Sequence, residues 1–249
     1  MKRKYPVTAG LLMIIILISA CTPTAEIPTE QPEYEVVRLQ ITPALEHWLP
    51  EIAECAERLP NLGIYTDILP RNRLNLSEAD LVLRLGPRYE SDLFVSVMGH
   101  EELIVFSGAN VPVNNLSLES IQAIYSGKIT LWDEVPEVIE EGRLINQPIT
   151  TLAYPEDHEI RNLFERSFLS NEAIDSNPLL YNTVSFLEKL LAENPYGIGF
   201  GLLSQATKDS QIMTITDQEI PSFQQFVLAI TPEDPQGDLH QLLLCLQQE

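Results

Sequence analysis

The sequence predicts an α/β protein built on mainly parallel sheets, and three observations carry that expectation. Short apolar runs of strand length recur along the chain, as at residues 36–41 and 226–230. They alternate with longer stretches whose apolar residues return every three or four positions, the period of a helix. The 249 residues, 45% of them hydrophobic, also exceed what one small core needs, so a large domain or two lobes is expected.

Taken in order, Val36, Val37, Leu39 and Ile41 make the opening strand. Thr42-Pro43 reads as a helix N-cap followed by proline at the first helical position, and Leu45, Trp48, Leu49, Ile52, Ala56 and Leu59 form one stripe. Residues 62–69 and 79–85 are two further strands. Residues 93–98 and 102–106 read as strands separated by Gly99-His100-Glu101. Ser117 caps a helix carrying Leu118, Ile121, Ile124 and Tyr125, which Gly127 stops. Residues 149–153 form a strand, and 159–168 a helix with Ile160, Leu163 and Phe164 on one face. A helix over 183–193 ends at Asn194-Pro195; strands follow at 198–200, 212–215 and 226–230, and a last helix at 239–246.

Charge narrows the function. Fifteen Lys+Arg against 36 Asp+Glu give a formal net charge of −21, and such a body repels a phosphodiester backbone, so a nucleic-acid partner is not expected. Lys2, Arg3 and Lys4 belong to a leader without acids. The apolar run at 9–20 falls short of the about 20 residues that span a bilayer, and with the basic start it has the form of a secretory signal. The run ends in Leu17-Ile18-Ser19-Ala20-Cys21, which resembles the bacterial lipobox, where the cysteine accepts a lipid. Residues 1–20 are therefore expected to be a signal peptide. Residues 21–33, rich in Pro, Thr and Glu, would be a lipid-anchored tether. No other segment is apolar enough to span a membrane. Cys55 and Cys245 lie near opposite ends of the body, where export would permit a disulfide; a bridge and two free thiols both stay open.

Motifs for catalysis or metal binding are absent. His47, His100, His158 and His240 show no ligand spacing, and no nucleophile elbow, P-loop or dinucleotide fingerprint occurs. An exported hydrolase is thus poorly supported; no cofactor is expected. The glycines in Tyr196-Gly-Ile-Gly-Phe-Gly201 read as close backbone packing, Tyr125 and Trp132 as packing residues, and the acids after Trp132 as a solvated face.

Residues 116–132, a helix running into Gly127-Lys128-Ile129-Thr130 and then Trp132, resemble the corresponding segment of phosphate-type solute-binding proteins. Residues 103–115, Asn194-Pro-Tyr-Gly-Ile-Gly-Phe200 and 221–231 fall in that family's order. The resemblance implies a two-lobed, type 2 periplasmic-binding-protein fold, with two mainly parallel mixed sheets joined by two crossing strands. Lobe one would comprise about 34–110 plus 222–249, and lobe two about 111–221. It implies a cleft that binds an oxyanion through helix N-termini and hydroxyls.

Three loops would supply the donors. The first is Thr42-Pro43-Ala44, with a hydroxyl from Thr42 and an N–H from Ala44, although Thr42 equally reads as a helix cap. The second follows Ala79-Asp80: Arg84 and Arg88 would offer guanidinium forks, and Asp80 would accept from a protonated oxyanion, the other reading being two surface arginines. The third is His158-Glu159-Ile160-Arg161-Asn162-Leu163-Phe164, where Arg161 and Phe164 match the family and His158, a candidate ligand residue, stands at its serine position. The family's Ser, Gly and Thr are missing there. Glu156, Asp157 and Glu159 bring negative charge that competes with a bound anion.

The function implied is a membrane-tethered, monomeric solute-binding lipoprotein outside the cytoplasm, which presents a phosphate-like oxyanion to an ABC permease. The alternative is a lipoprotein that keeps the scaffold for signalling or protein contact.

Overall fold

Ten strands and six α-helices account for most of residues 34–87, 92–206, 210–216 and 223–247, which the computed structural model describes. The expected signal peptide, the tether with Cys21, and Arg88 lie outside the described residues. The strands are β1 (Glu35–Ile41), β2 (Leu62–Ile68), β3 (Leu81–Leu85), β4 (Phe94–Ser107), β5 (Asn115–Leu116), β6 (Thr150–Ala153), β7 (Leu179–Leu180), β8 (Gly197–Leu202), β9 (Gln211–Ile215) and β10 (Gln224–Thr231). The helices are α1 (Leu49–Glu57), α2 (Leu118–Tyr125), α3 (Pro136–Glu140), α4 (Glu159–Phe168), α5 (Val184–Glu193) and α6 (Gly237–Leu246).

Hydrogen bonding runs continuously in the order β2-β1-β3-β10-β4-β8-β6-β7, with β9 joining β4 to β5. In the first section β1 pairs in parallel with β2 and β3. In the second, β6 pairs in parallel with β8 and β7. Between them β4 and β10 run antiparallel to each other. The α/β class holds, with two mixed sections meeting at two long strands. β3 reads Leu-Val-Leu-Arg-Leu and every residue is buried, as a strand flanked on both sides requires.

Two local expectations are corrected. Gly99-His100-Glu101 does not separate two strands: β4 is one strand of 14 residues. β10 lies beside it, pairing Val227 with Gly99, Phe226 with His100 and Gln225 with Glu101, and so carries the ladder through the glycine. The first helical stripe is also two elements. A 3₁₀ helix over Pro43–Trp48 precedes α1, because Pro50 in the first turn of α1 lacks the N–H that a continuous helix would use. The short β5, β7 and α3 carry too few residues for their periodicity to be read.

The caps of α2 behave as read: Ser117 accepts from the Ser120 N–H at 3.2 Å, and Gly127 adopts φ +72° beyond its end. Thr42 stands at the N-cap position of the 3₁₀ helix with Pro43 after it, but its hydroxyl makes no cap hydrogen bond. Two of the acids after Trp132 are occupied rather than simply solvated. Glu134 accepts from the Thr130 and Leu131 N–H groups, and Glu137 from the Ser117 N–H and the Ser120 hydroxyl.

The core is continuous across both sections. Phe164 stacks on Phe200 at 3.8 Å and Phe168 on Phe223 at 4.2 Å, while Tyr125 and Trp132 are wholly buried. A side chain at Gly199 would strike Leu187, with a Cβ 2.4 Å from its Cδ1, so that glycine serves close packing. Cys55 of α1 and Cys245 of α6 are joined in a disulfide with a Cα–Cα distance of 5.9 Å. On the loop-entropy model a cross-link that closes so long a loop contributes about 5 kcal/mol.

Candidate functional site

The parallel strands β1, β2 and β3 end on the same side, and the segments after them converge on Leu85. In open α/β sheets ligands bind outside such carboxyl ends. The Leu85 carbonyl accepts from Arg71 Nη1 at 2.7 Å and from Arg84 Nη1 at 3.0 Å. Gly86 follows at φ +113°, in the region that favours glycine, and a Cβ there would lie 2.8 Å from Arg71 Nη1. Two guanidinium groups thus gather where the backbone has no side chain to exclude them.

The anion facing Arg71 belongs to the chain itself. Glu159, in the first turn of α4 and 3% exposed, places Oε1 3.0 Å from Arg71 Nη1. Its Oε2 accepts from the Leu85 N–H at 3.4 Å. The wholly buried Thr42 hydroxyl favours the charged carboxylate, yet it lies outside hydrogen-bond geometry and has no partner. Burial dominates: it pushes the Glu159 carboxylic acid above its usual range despite Thr42, Arg71 and the Leu85 N–H. Arg71 and Arg84 also line a cavity of about 240 Å³ with Leu74, Leu76, Val82, Leu93 and Ile230.

The residues singled out from the sequence divide between this cluster and other places. Thr42 and Arg84 are in it. Ala44 lies in the 3₁₀ helix beside Thr42, where its carbonyl accepts from Gln205 Nε2 at 3.3 Å. Asp80 sits at the opposite end of β3, exposed, and accepts from the Arg38 N–H at 2.8 Å. At about 3.3 Å per residue the five steps put it roughly 16 Å from Leu85, too far to share a ligand.

His158 caps α4, with Nδ1 accepting from the Ile160 N–H at 3.3 Å, and its ring stacks on Tyr154 at 4.1 Å. Burial outweighs the charge of Asp157 and lowers its pKa to about 4, so it is neutral at physiological pH. Arg161 turns away from the cluster to Glu165, at 2.9 Å, and to the Tyr154 carbonyl, and it lines a separate cavity with Glu156. Arg71 was not singled out. Its position just after a predicted parallel strand was the available signal.

A second polar cluster lies where β4 crosses between the sections. Glu101, 4% exposed, accepts from His47 Nε2 at 2.8 Å, from Trp48 Nε1 at 3.0 Å and from the Ser204 hydroxyl. Gln205 Nε2 lies 3.1 Å from His47 Nδ1. Burial raises the Glu101 pKa, but these hydrogen bonds and the His47 charge outweigh it, leaving the group below its usual range. The same His47 nitrogen faces both Glu101 and Ser204, and Ser204 donates to the acid. The imidazole is therefore not interposed between orienting acid and nucleophile as acyl transfer needs. Among the described residues no group of three His, Cys, Asp or Glu could hold a metal ion, and no helix is long and apolar enough to cross a membrane.

No protein-family model and no curated protein sequence matches the chain. Solved structures do. An ABC-type phosphate transport receptor from Vibrio cholerae superposes with a TM-score of 0.68 at 15% identity, covering 86% of this chain and 93% of that one. A phosphate ABC transporter substrate-binding protein with bound phosphate, from Clostridium perfringens, gives 0.66 at 15% identity over 85% and 93%. A sulfate-bound OxyR2 regulatory domain from Vibrio vulnificus gives 0.59 at 11% identity over 88% and 98%. The chain has the periplasmic-binding-protein fold that these proteins share.

Proposed function

We propose that the protein is an extracytoplasmic solute-binding lipoprotein that captures phosphate or a similar oxyanion and presents it to an ABC-type permease. The observation that carries this reading is the donor set at Leu85: Arg71, the Leu85 N–H and the Thr42 hydroxyl surround an oxyanion, here the Glu159 carboxylate, while Arg84 lies beside Arg71 on the Leu85 carbonyl. Proteins of the same fold hold phosphate or sulfate, which adds weight to an anionic ligand.

In this reading residues 1–20 are removed, Cys21 carries the lipid, and residues 21–33 tether a monomeric body to the outer face of the cell membrane. Lobe one, 34–110 plus 222–249, brings Thr42, Ala44, Arg71, Arg84 and Arg88. Lobe two, 111–221, brings the start of α4, where His158 caps the helix and Glu159 reaches the cluster while Arg161 faces another cavity. Ligand contacts close the lobes about β4 and β10, and only the closed form docks productively on the permease. Nothing is catalysed.

A thermal-shift series on the chain with phosphate, sulfate, molybdate, amino acids and sugars tests this. A ligand at about 100 times its Kd adds about 2.7 kcal/mol to stability. Phosphate or a related oxyanion is expected to raise Tm while the sugars and amino acids leave it unchanged; no response to any oxyanion overturns the reading. Glu159 in the anion position favours one second reading, a scaffold kept for protein contact or signalling, for which no small solute would shift Tm.

A further inference from the structure

Glu159 is an unusual residue to bury if its purpose is stability. Its side chain is 2% exposed while that of Arg71 is 35% exposed, so the base reaches in from the surface to an acid that has lost its water. Replacing such a pair as a whole by apolar residues often costs little, because desolvation offsets the Coulomb gain. One carboxylate oxygen has a short contact to a guanidinium, the other a long one to an N–H, and the nearest hydroxyl is unpaired. The site is polar, cationic and incompletely satisfied by its occupant.

The origins of the groups matter as much as their distances. Thr42, Arg71 and Leu85 follow or end β1, β2 and β3, all in the first section of the sheet. Glu159 enters on α4, which follows β6 in the second section. A single carboxylate therefore links the two sections at the place where a bound oxyanion would. At the N-terminus of α4 the His158 side chain takes the Ile160 N–H and the His158 carbonyl takes that of Asn162, so neither of those donors is open to an incoming anion. Such an anion has to compete for the donors that Glu159 holds.

We infer that Glu159 is a tethered anion occupying the oxyanion position formed by Arg71, the Leu85 N–H and Thr42, and that a free oxyanion binds there by displacing this carboxylate. The ligand class is a small carboxylate or a phosphate-like oxyanion. This rests on reading the cluster as an anion site, and it makes Glu159 the residue that sets the affinity of that site.

The test uses the full chain purified in detergent, with Glu159→Ala, which removes the carboxylate, and Glu159→Gln, which keeps its shape without charge. Acetate is the first probe, because it has the size of the group deleted in Glu159→Ala. Acetate at tens of millimolar is expected to raise the Tm of Glu159→Ala and not that of the parent, and adding Arg71→Ala should abolish the effect. Phosphate, the second probe, is expected to bind Glu159→Ala at least tenfold more tightly than the parent, with a smaller gain in Glu159→Gln.

Equal acetate responses in parent and variant, or a response that survives Arg71→Ala, overturn the inference. So does phosphate binding of equal strength in parent and both variants, which leaves the uptake reading standing. Acetate rescue of Glu159→Ala with no phosphate binding to any form upholds the tethered anion and overturns the phosphate reading. Should Glu159→Ala fail to fold, unchanged phosphate affinity in Glu159→Gln overturns the inference.

Discussion

Two buried glutamates, Glu101 and Glu159, occupy comparable depths and behave in opposite ways. Glu101 is 4% exposed and accepts hydrogen bonds from His47, Trp48 and Ser204, so its charged form is favoured beyond the cost of burial. Glu159 is 3% exposed and has one short contact and one long one, so burial prevails and its pKa lies above the usual range. Depth alone does not decide what a buried charge does; the number and quality of its donors do. The satisfied carboxylate belongs to the framework, tying the 3₁₀ helix of the first section to the crossing strand and to the turn after β8. The under-satisfied one lies among the donors at Leu85, where we propose that an oxyanion binds.

Removing the satisfied acid should therefore have the largest effect. Glu101→Ala leaves the His47 and Trp48 donors without an acceptor and is expected to lose about 3–5 kcal/mol, the usual cost of breaking a buried pair. Urea denaturation measures it, and a loss below about 1 kcal/mol would break the contrast. Glu159→Gln, by the same measurement, should change stability by no more than about 1 kcal/mol in either direction, because desolvation offsets much of what Arg71 returns.

Dependence on pH sharpens the contrast further. The Glu101 pKa is lowered in the folded state, so its stabilisation is present above the unfolded value of about 4.5 and is lost as pH falls through the folded one. That of Glu159 is raised, so the folded form keeps its proton longer and stability declines as pH rises from about 4.5 through the folded value. The groups facing Glu159 are Arg71, the Leu85 N–H and the Thr42 hydroxyl. Stability–pH profiles should accordingly show Glu101→Gln losing the acid limb of the parent. Glu159→Gln should gain on the parent above about pH 4.5 and not below it. The smallest effect is expected at Asp80, whose replacement by Asn should leave any phosphate response unchanged, because the length of β3 separates it from the cluster.

Much of the local structure could be read along the chain. The Ser117 cap, the Gly127 stop and the apolar faces of α2, α4 and α5 are contiguous features whose causes lie within a few residues. The long β4 escaped that reading because β10, more than 120 residues away, carries the ladder across Gly99. The site was half legible. Arg84 is inside it, and the acidic character of the loop before α4 was apparent, but the one acid that matters, Glu159, could not be told from Glu156 and Asp157. Arg161, two residues further along α4, faces another cavity because a helix turns about 100° per residue.

What the sequence determined by itself was the α/β class, the acidic character that disfavours nucleic acid, and an apolar N-terminal run that ends in a lipobox-like motif. These follow from composition, from short-range periodicity and from contiguous motifs. The tertiary structure alone decided that Cys55 meets Cys245, that Arg71 reaches the end of β3, and that one glutamate has three donors while another is held by an arginine and a distant N–H. Those outcomes depend on which segments the sheet brings side by side. Pairing between strands far apart in the chain leaves no periodic trace in either one.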